Sequence, residues 1–161
     1  MAEPPLIPRP EGLYCPEGRF YIDPVQPVDR ALITHGHADH ARAGHGAVMA
    51  TRQTLEIMAI RYGADFTGTR EEAGTDARVN GVKVSFHPAG HVLGSAQIRM
   101  ESGGRVVVVS GDYTRAPNPA CAPFELVPCD LFVTEATFGL PVFRHPDPLA
   151  EVGKLMASLA Q

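Results

Sequence analysis

The alternation of apolar and polar residues predicts mostly short strands along this chain. Residues 82–86 alternate in the manner of a half-buried strand, and the pair Asn80-Gly81 before them is typical of a tight hairpin turn. Short apolar runs bounded by turn residues predict further strands at residues 20–22, 31–34, 47–50, 96–100, 105–110 and 131–133. Many strands with few helices indicate a mixed α/β (α+β) fold.

Two segments carry apolar residues at helical spacing. The first follows Thr51, which can cap a helix, and ends at Gly63. We expect its apolar face to be buried: Leu55, Met58, Ala59 and Tyr62. The second begins near Pro148, a residue suited to the first turn of a helix, and is still helical in pattern at the last residue.

The composition is that of one soluble domain large enough to bury a core. The chain has 161 residues, of which 44% are apolar and 20% charged, and its formal net charge is −4. That charge disfavours a generally basic surface for phosphates, although the arginines, which outnumber the lysines, can contact phosphates locally. Residues 1–10 contain four prolines and are predicted to form an extended arm.

Two features predict a cytoplasmic protein with no membrane partner. No apolar run approaches the length that spans a membrane. The three cysteines, Cys15, Cys121 and Cys129, lack CxxC spacing, which favours reduced thiols in a reducing compartment.

The residues that follow the predicted strand 31–34 carry the candidate chemistry. His35, His37, Asp39 and His40 place three imidazoles and a carboxylate within six residues. Such groups are Zn²⁺ ligands, and desolvated imidazoles without a partner would be costly. Alternate residues of an extended segment share a face, so this segment can serve two neighbouring ions. Two ions suit a displacement at phosphorus, whereas a single ion would more simply activate water for acyl chemistry.

Other strand ends must supply the remaining ligands. His91 lies between glycines that allow a close backbone approach, and Asp112 could bridge two cations. Glu135 also follows a predicted strand. Three further histidines have weaker support, the first two as outer partners or exposed residues and the third as a surface residue: His45, His87 and His145.

These motifs together resemble those of a known superfamily. His35-Gly36-His37-Ala38-Asp39-His40 matches the HxHxDH motif of the metallo-β-lactamase superfamily, and Gly90-His91 and Gly111-Asp112 resemble its next two metal motifs. Thr134-Glu135-Ala136-Thr137-Phe138-Gly139 resembles the acidic first motif of the β-CASP nucleases. The resemblance implies an αββα sandwich with mixed, mainly antiparallel sheets, of which this chain is the N-terminal half.

Within that group the chain is similar to the bacterial ligase-associated DNA exonucleases, through residues 12–16, 20–24, 87–96 and 121–125. The resemblance implies two divalent ions, Zn²⁺ or alternatively Mn²⁺, and nucleic acid as the substrate, DNA rather than RNA. It also implies a DNA ligase as a partner in the same pathway.

The same resemblance assigns roles to individual residues. His35, His37 and His91 would hold the first ion, Asp39 and His40 the second, and Asp112 would bridge them. Glu135 would orient a histidine that helps to protonate the leaving oxygen. Asp39, Asp112 and Glu135 are therefore the expected catalytic carboxylates.

The chain is much shorter than the enzymes that it resembles. The β-CASP insertion would follow the helix near Pro148, so the histidine partner of Glu135 and a late ligand of the second ion would lie beyond Gln161. We therefore expect residues 1–161 to be the N-terminal part of a metallo-β-lactamase domain, truncated before that insertion.

Two other functions remain open at this point. The chain could belong to a metallo-hydrolase of thioester or lactam substrates, against which the segment around Glu135 argues. It could also be a non-catalytic truncated remnant, in which exposed apolar surface and open sheet edges favour self-association.

We predict that residues 1–161 alone bind one divalent ion more tightly than a second and cleave nucleic acid weakly or not at all, because a ligand of the second ion is expected beyond Gln161. Metal analysis after dialysis, together with a nuclease assay, measures both properties. Two tightly bound equivalents with robust cleavage would contradict this expectation.

Overall fold

The computed structural model describes residues 4–74, 76–144 and 146–159. These residues form eleven strands and two helices: β1 (Ile7–Arg9), β2 (Gly12–Cys15), β3 (Phe20–Ile22), β4 (Arg30–Leu32), β5 (His45–Ala50), α1 (Arg52–Tyr62), β6 (Thr67–Glu72), β7 (Ala77–Val79), β8 (Val82–Pro88), β9 (Ala96–Ser102), β10 (Arg105–Val109), β11 (Leu131–Val133) and α2 (Pro148–Leu159).

The strands form two mixed sheets. The first has the order β1-β2-β3-β4-β5-β6, antiparallel between β1, β2 and β3 and parallel from β3 onward. The second has the order β11-β10-β9-β8-β7, antiparallel except for the parallel pair of β10 and β11. The mixed α/β class is confirmed, and antiparallel pairs hold only a narrow majority within the described residues.

The main core lies between the two sheets. Phe20, Ile22 and Leu32 of the first sheet form one buried cluster with Ile98 and Met100 of the second. In β8 the alternate residues Val82, Val84 and Phe86 pack against this cluster, as the period-2 pattern predicts, and Ser85 between them is buried as well. The inner faces of the two sheets therefore pack together and form the core of a sandwich.

A second core lies on the other face of the first sheet, where α1 covers β4 and β5. Leu55 and Met58 pack there against Ile33 and Val48. Thr51 caps the helix by accepting a hydrogen bond from the Thr54 amide, as the sequence predicts. The expectation of a buried Tyr62 is wrong: its side chain is 37% exposed, because it lies in the last turn of the helix.

Several strands are not predicted by the apolar pattern of the sequence, β1 and β6 among them. β6 (Thr67–Glu72) is almost wholly polar and lies at the edge of the first sheet, where no burial imposes an apolar alternation. β1 lies within the predicted extended arm and forms the opposite edge by pairing with β2. His145 falls outside the described residues.

The second predicted helix forms as α2, with its apolar residues exposed: Leu149, Val152, Leu155, Met156 and Leu159. Among the described residues, no helix combines the length and apolarity needed to cross a bilayer.

The burial of α1 gives a paired stability prediction. Met58 is fully buried and Ile60, two residues further along the same helix, is 86% exposed. Met58→Ala should lower the free energy of unfolding by about 2–5 kcal/mol through lost contacts and a cavity. Ile60→Ala should change it by less than about 0.5 kcal/mol. Urea denaturation measures both, and equal effects would contradict the described packing.

Candidate metal centre

The candidate ligands meet where strands of both sheets end. The HxHxDH segment follows β4, His91 follows β8 and Asp112 follows β10. A hydrogen bond from the Ala96 amide to the Thr34 carbonyl, 2.8 Å long, ties the second sheet to the first at this edge. Gly111 has a φ of +56°, and a Cβ there would lie 2.6 Å from Thr34. Only a glycine therefore allows the end of β10 to approach so closely.

The first group of donor atoms comes from three histidines and one carboxylate. His35 Nε2 lies 3.0 Å from His37 Nδ1, which lies 3.3 Å from His91 Nε2. Asp112 Oδ2 is 3.8 Å from His35 Nε2 and 3.7 Å from His91 Nε2. Ligands of a tetrahedral zinc ion are separated by about 3.3 Å, given bonds of about 2.0–2.1 Å. The spacing and chemistry of these atoms fit one such ion.

A second group lies on the other side of the Asp112 carboxylate. Asp112 Oδ1 is 3.4 Å from His40 Nε2, and Asp39 Oδ2 is 3.6 Å from the same nitrogen. Asp112 thus turns one oxygen toward each group, the arrangement expected of a bridging carboxylate. The side chain of Asp39 is 76% exposed, so this second group is open to solvent on one side.

Asp23, directly after the predicted strand 20–22, is a component of the site that the sequence motifs do not include. It follows β3 with a φ of 44°, and its Oδ1 accepts a hydrogen bond of 2.8 Å from the Thr34 amide. Its Oδ2 accepts from Thr34 Oγ1 at 2.5 Å and from His40 Nδ1 at 2.8 Å. A carboxylate directly after a buried strand was the available signal.

Asp23 determines which nitrogens are free to bind a metal. A carboxylate only accepts, so His40 carries its proton on Nδ1 and presents a bare Nε2 to Asp112. The Thr34 hydroxyl donates its one proton to Asp23, so it accepts from His35 Nδ1, 3.0 Å away. His35 therefore also presents a bare Nε2. Such carboxylate–histidine contacts orient ligands in metal sites.

The electrostatics favour neutral ligands at His35 and His91. Burial, reinforced by the positive charge of His40 when protonated, lowers the pKa of His35 to about 4. Desolvation likewise lowers the pKa of His91. The hydrogen bond to Asp23 raises the pKa of His40. Neutral imidazole at physiological pH is the metal-binding form.

Glu135 lies beside the site but outside both donor groups. It lines a cavity of about 330 Å³ together with Asp23, Asp39, His40 and Asp112. Its Oε2 accepts a hydrogen bond of 2.7 Å from the Thr137 amide, which fixes the carboxylate at the cavity wall.

The remaining predicted histidines lie apart from the donor groups. His87 is held between Ser85 Oγ and Glu125 Oε1, each 2.9 Å from a ring nitrogen. His45 is buried, and its Nδ1 accepts a hydrogen bond from the Val28 amide. The expectation that His45 is an outer partner of the site or exposed is therefore wrong, because it begins β5 and faces the interior.

Comparison with known proteins identifies relatives among nucleic-acid enzymes. A protein of Opitutus terrae named Probable DNA ligase is 30% identical over 148 residues, covering 88% of this chain and 14% of the relative. Ribonuclease TTHA0252 of Thermus thermophilus is 31% identical over 151 residues, 74% of this chain and 34% of the relative. Endoribonuclease ysh1 of Aspergillus fumigatus is 33% identical over 170 residues, 82% of this chain and 19% of the relative.

These relatives are nucleases of the β-CASP group of the metallo-β-lactamase superfamily, the family that the motifs of this chain resemble. No family model matches this chain. The chain spans between 14% and 34% of the length of these curated relatives. The two sheets with α1 on one face agree with the metallo-β-lactamase sandwich.

The family is metal-dependent, and the residues present fit that requirement. Two described groups can offer convergent ligand atoms: His35, His37, His91 and Asp112, and separately Asp23, His35 and His40. In the second group the contacts of Asp23 are already taken by Thr34 and His40. The carboxylates that lie nearest to His40 Nε2 are those of Asp39 and Asp112.

The hydrogen bonds of Asp23 give a prediction for metal affinity. In Asp23→Asn the new NH2 group would face donors in either orientation: Thr34 Oγ1–H and His40 Nδ1–H at the Oδ2 position, or the Thr34 amide at the Oδ1 position. At least one hydrogen bond is therefore lost. Metal affinity should fall about 10–100-fold, as when other outer partners of metal ligands are changed. Competition with a chromophoric chelator measures the affinity.

The matched control is Asp29→Asn, the same change at an exposed position of the same connection between β3 and β4. Its metal affinity should equal that of the unmodified protein. Equal affinities in all three proteins would show that Asp23 does not orient the ligands.

Proposed function

We propose that the protein is a metal-dependent phosphodiester hydrolase that acts on nucleic acid, and that its substrate is DNA degraded from an end. The observation that carries the proposal is the Asp112 carboxylate, with Oδ1 near His40 and Oδ2 near His35 and His91. Two donor groups that share one carboxylate suit a pair of ions a few ångströms apart. The relatives named as ribonucleases support phosphodiester chemistry.

In this proposal His35, His37, His91 and Asp112 hold one divalent ion, and Asp39, His40 and Asp112 hold the other. Bound ions would supply a water of lowered pKa and offset the charge of a phosphodiester. Zn²⁺ fits the three imidazoles of the first group, with Mn²⁺ as the alternative. Asp39 and Asp112 keep the site anionic, which favours divalent cations.

Glu135 acts on the leaving side of the reaction in this proposal. Its carboxylate lies at the wall of the cavity that Asp39, His40 and Asp112 also line. From this position it would orient a histidine that gives a proton to the leaving oxygen. Asp39, Asp112 and Glu135 are thus the proposed catalytic carboxylates.

The setting of the activity is part of the same proposal. The named Probable DNA ligase and the subgroup resemblance favour DNA and a role alongside a DNA ligase. The three cysteines are free thiols, which fits the reducing cytoplasm that we propose as the location.

A cleavage assay tests the proposal. End-labelled single- and double-stranded DNA and RNA are incubated with the protein, including any coding sequence that continues beyond Gln161. We expect stepwise shortening of DNA, loss of activity on chelation and recovery with Zn²⁺ or Mn²⁺. Thioester or lactam turnover without cleavage of nucleic acid would reject the proposal.

Two substitutions separate the proposed roles. Asp112→Asn should lower the amount of bound metal and should lower the cleavage rate by about 100-fold or more. The reason is that both donor groups lose the negative charge of the carboxylate that they share. Glu135→Gln should lower kcat with metal content unchanged. Metal analysis and steady-state kinetics measure these quantities.

The control is Glu56→Gln, because Glu56 lies exposed on α1 in an ion pair with Arg52. That variant should keep full activity. Unchanged cleavage in Asp112→Asn would exclude the bridging role.

A further inference from the structure

The segment of residues 113–125, here called the strap, crosses the loop that carries His91. The Thr114 amide donates to the Ala89 carbonyl at 3.0 Å, and the Glu125 amide donates to the Pro88 carbonyl at 3.1 Å. Between these points Asn118 Nδ2 donates to the carbonyl of His91 itself at 2.9 Å. The strap therefore forms hydrogen bonds with three of the four residues from Pro88 to His91.

The strap and the His91 loop are packed too closely to shift independently. Gly90 has a φ of +72°, and a Cβ there would lie 2.3 Å from the Thr114 carbonyl oxygen and 3.0 Å from the Phe124 amide nitrogen. A side chain at this position would force the strap away from the loop.

The far end of the strap is anchored by Gln97, whose residue is only 1% exposed. Its Nε2 donates to the Pro88 carbonyl at 3.1 Å and to the Glu125 carbonyl at 2.8 Å. The Glu125 carboxylate also contacts His87 Nδ1 at 2.9 Å. A buried amide thus joins the end of β8 to the end of the strap.

His91 needs such support more than His35 and His40 do. The rings of His35 and His40 are oriented by Thr34 and Asp23. Within the described part of the chain, the His91 imidazole contacts His37 through a hydrogen bond and Asp112 through an ion contact. Both partners are themselves candidate metal ligands. Its position therefore depends on the backbone, which Ser95 Oγ holds at the amide and Asn118 at the carbonyl.

We propose that Asn118 is a positioning residue, which holds His91 where its Nε2 joins the first group of donor atoms. The inference rests on the proposed metal site. An asparagine suits the role because its Oδ1 accepts from the Ala120 amide at 3.0 Å while its Nδ2 holds His91. The contact with Ala120 fixes the Asn118 side chain within the strap. The contact with the His91 carbonyl then holds the backbone of His91 in place.

The test compares Asn118→Asp and Asn118→Ala with the unmodified protein. Aspartate keeps an acceptor for the Ala120 amide but has no donor for the His91 carbonyl, and alanine lacks both without adding charge. The metal-free proteins are titrated with Co²⁺, whose visible absorption reports the geometry of the ion, and Zn²⁺ affinity is measured by chelator competition. Thermal unfolding is recorded for each.

We expect both variants to bind the tighter ion about 10-fold more weakly and to change its Co²⁺ spectrum, with unfolding midpoints of the metal-free proteins close to that of the unmodified protein. Asn80→Asp is the matched control, because Asn80 Nδ2 also donates to a backbone carbonyl, that of Gly18, at 2.7 Å. It should leave the spectrum and the affinity unchanged.

His91→Ala separates the two possible failures. If His91→Ala loses the tighter ion while both Asn118 variants keep the normal spectrum and affinity, the metal site stands and the positioning role is rejected. If His91→Ala binds the ion normally, the assignment of the site itself is rejected. A loss in Asn118→Asp that Asn118→Ala does not share would reflect added charge and also reject the positioning role.

Discussion

The carboxylate of Asp23 is the contact on which the arrangement of the site depends. It joins the end of β3 to Thr34, the residue before the HxHxDH motif, and to His40, the last residue of that motif, which carries most of the candidate ligands. Because a carboxylate accepts but does not donate, these contacts also determine the tautomers of His35 and His40. Asp23, which lies outside the motif, thus fixes the position of the backbone at Thr34. It also determines which ring nitrogens of His35 and His40 have a free lone pair.

Much of the fold could be predicted because local patterns and tertiary burial agree. The alternation in β8 and the Asn80-Gly81 turn can both be recognised from residues adjacent in sequence. The hairpin of β7 and β8 forms around that turn as expected. The two helices follow from spacing and from the Thr51 cap. The edge strand β6 could not be predicted, since its polar residues contact solvent and its pairing depends on β5.

The candidate site could be predicted in its residues and only partly in its organisation. His35, His37 and His40 are recognisable because they crowd one strand end, and the structure brings His91 and Asp112 to them. The role of Asp23 depends on β3 lying beside β4, which the sequence does not state. The burial of His45 likewise follows from the parallel pairing of β5 with its neighbours and not from its near neighbours in sequence.

The order of strands has a consequence for how the domain assembles. Each sheet is made from one continuous half of the chain, with every strand beside its neighbour in sequence, so each can form through short-range contacts. His35, His37, Asp39 and His40 belong to the first half, whereas His91 and Asp112 belong to the second. An ion that needs ligands from both halves binds only after the sheets have docked. By mass action, metal then stabilises the docked state over the separated halves, so folding and metal loading are thermodynamically linked.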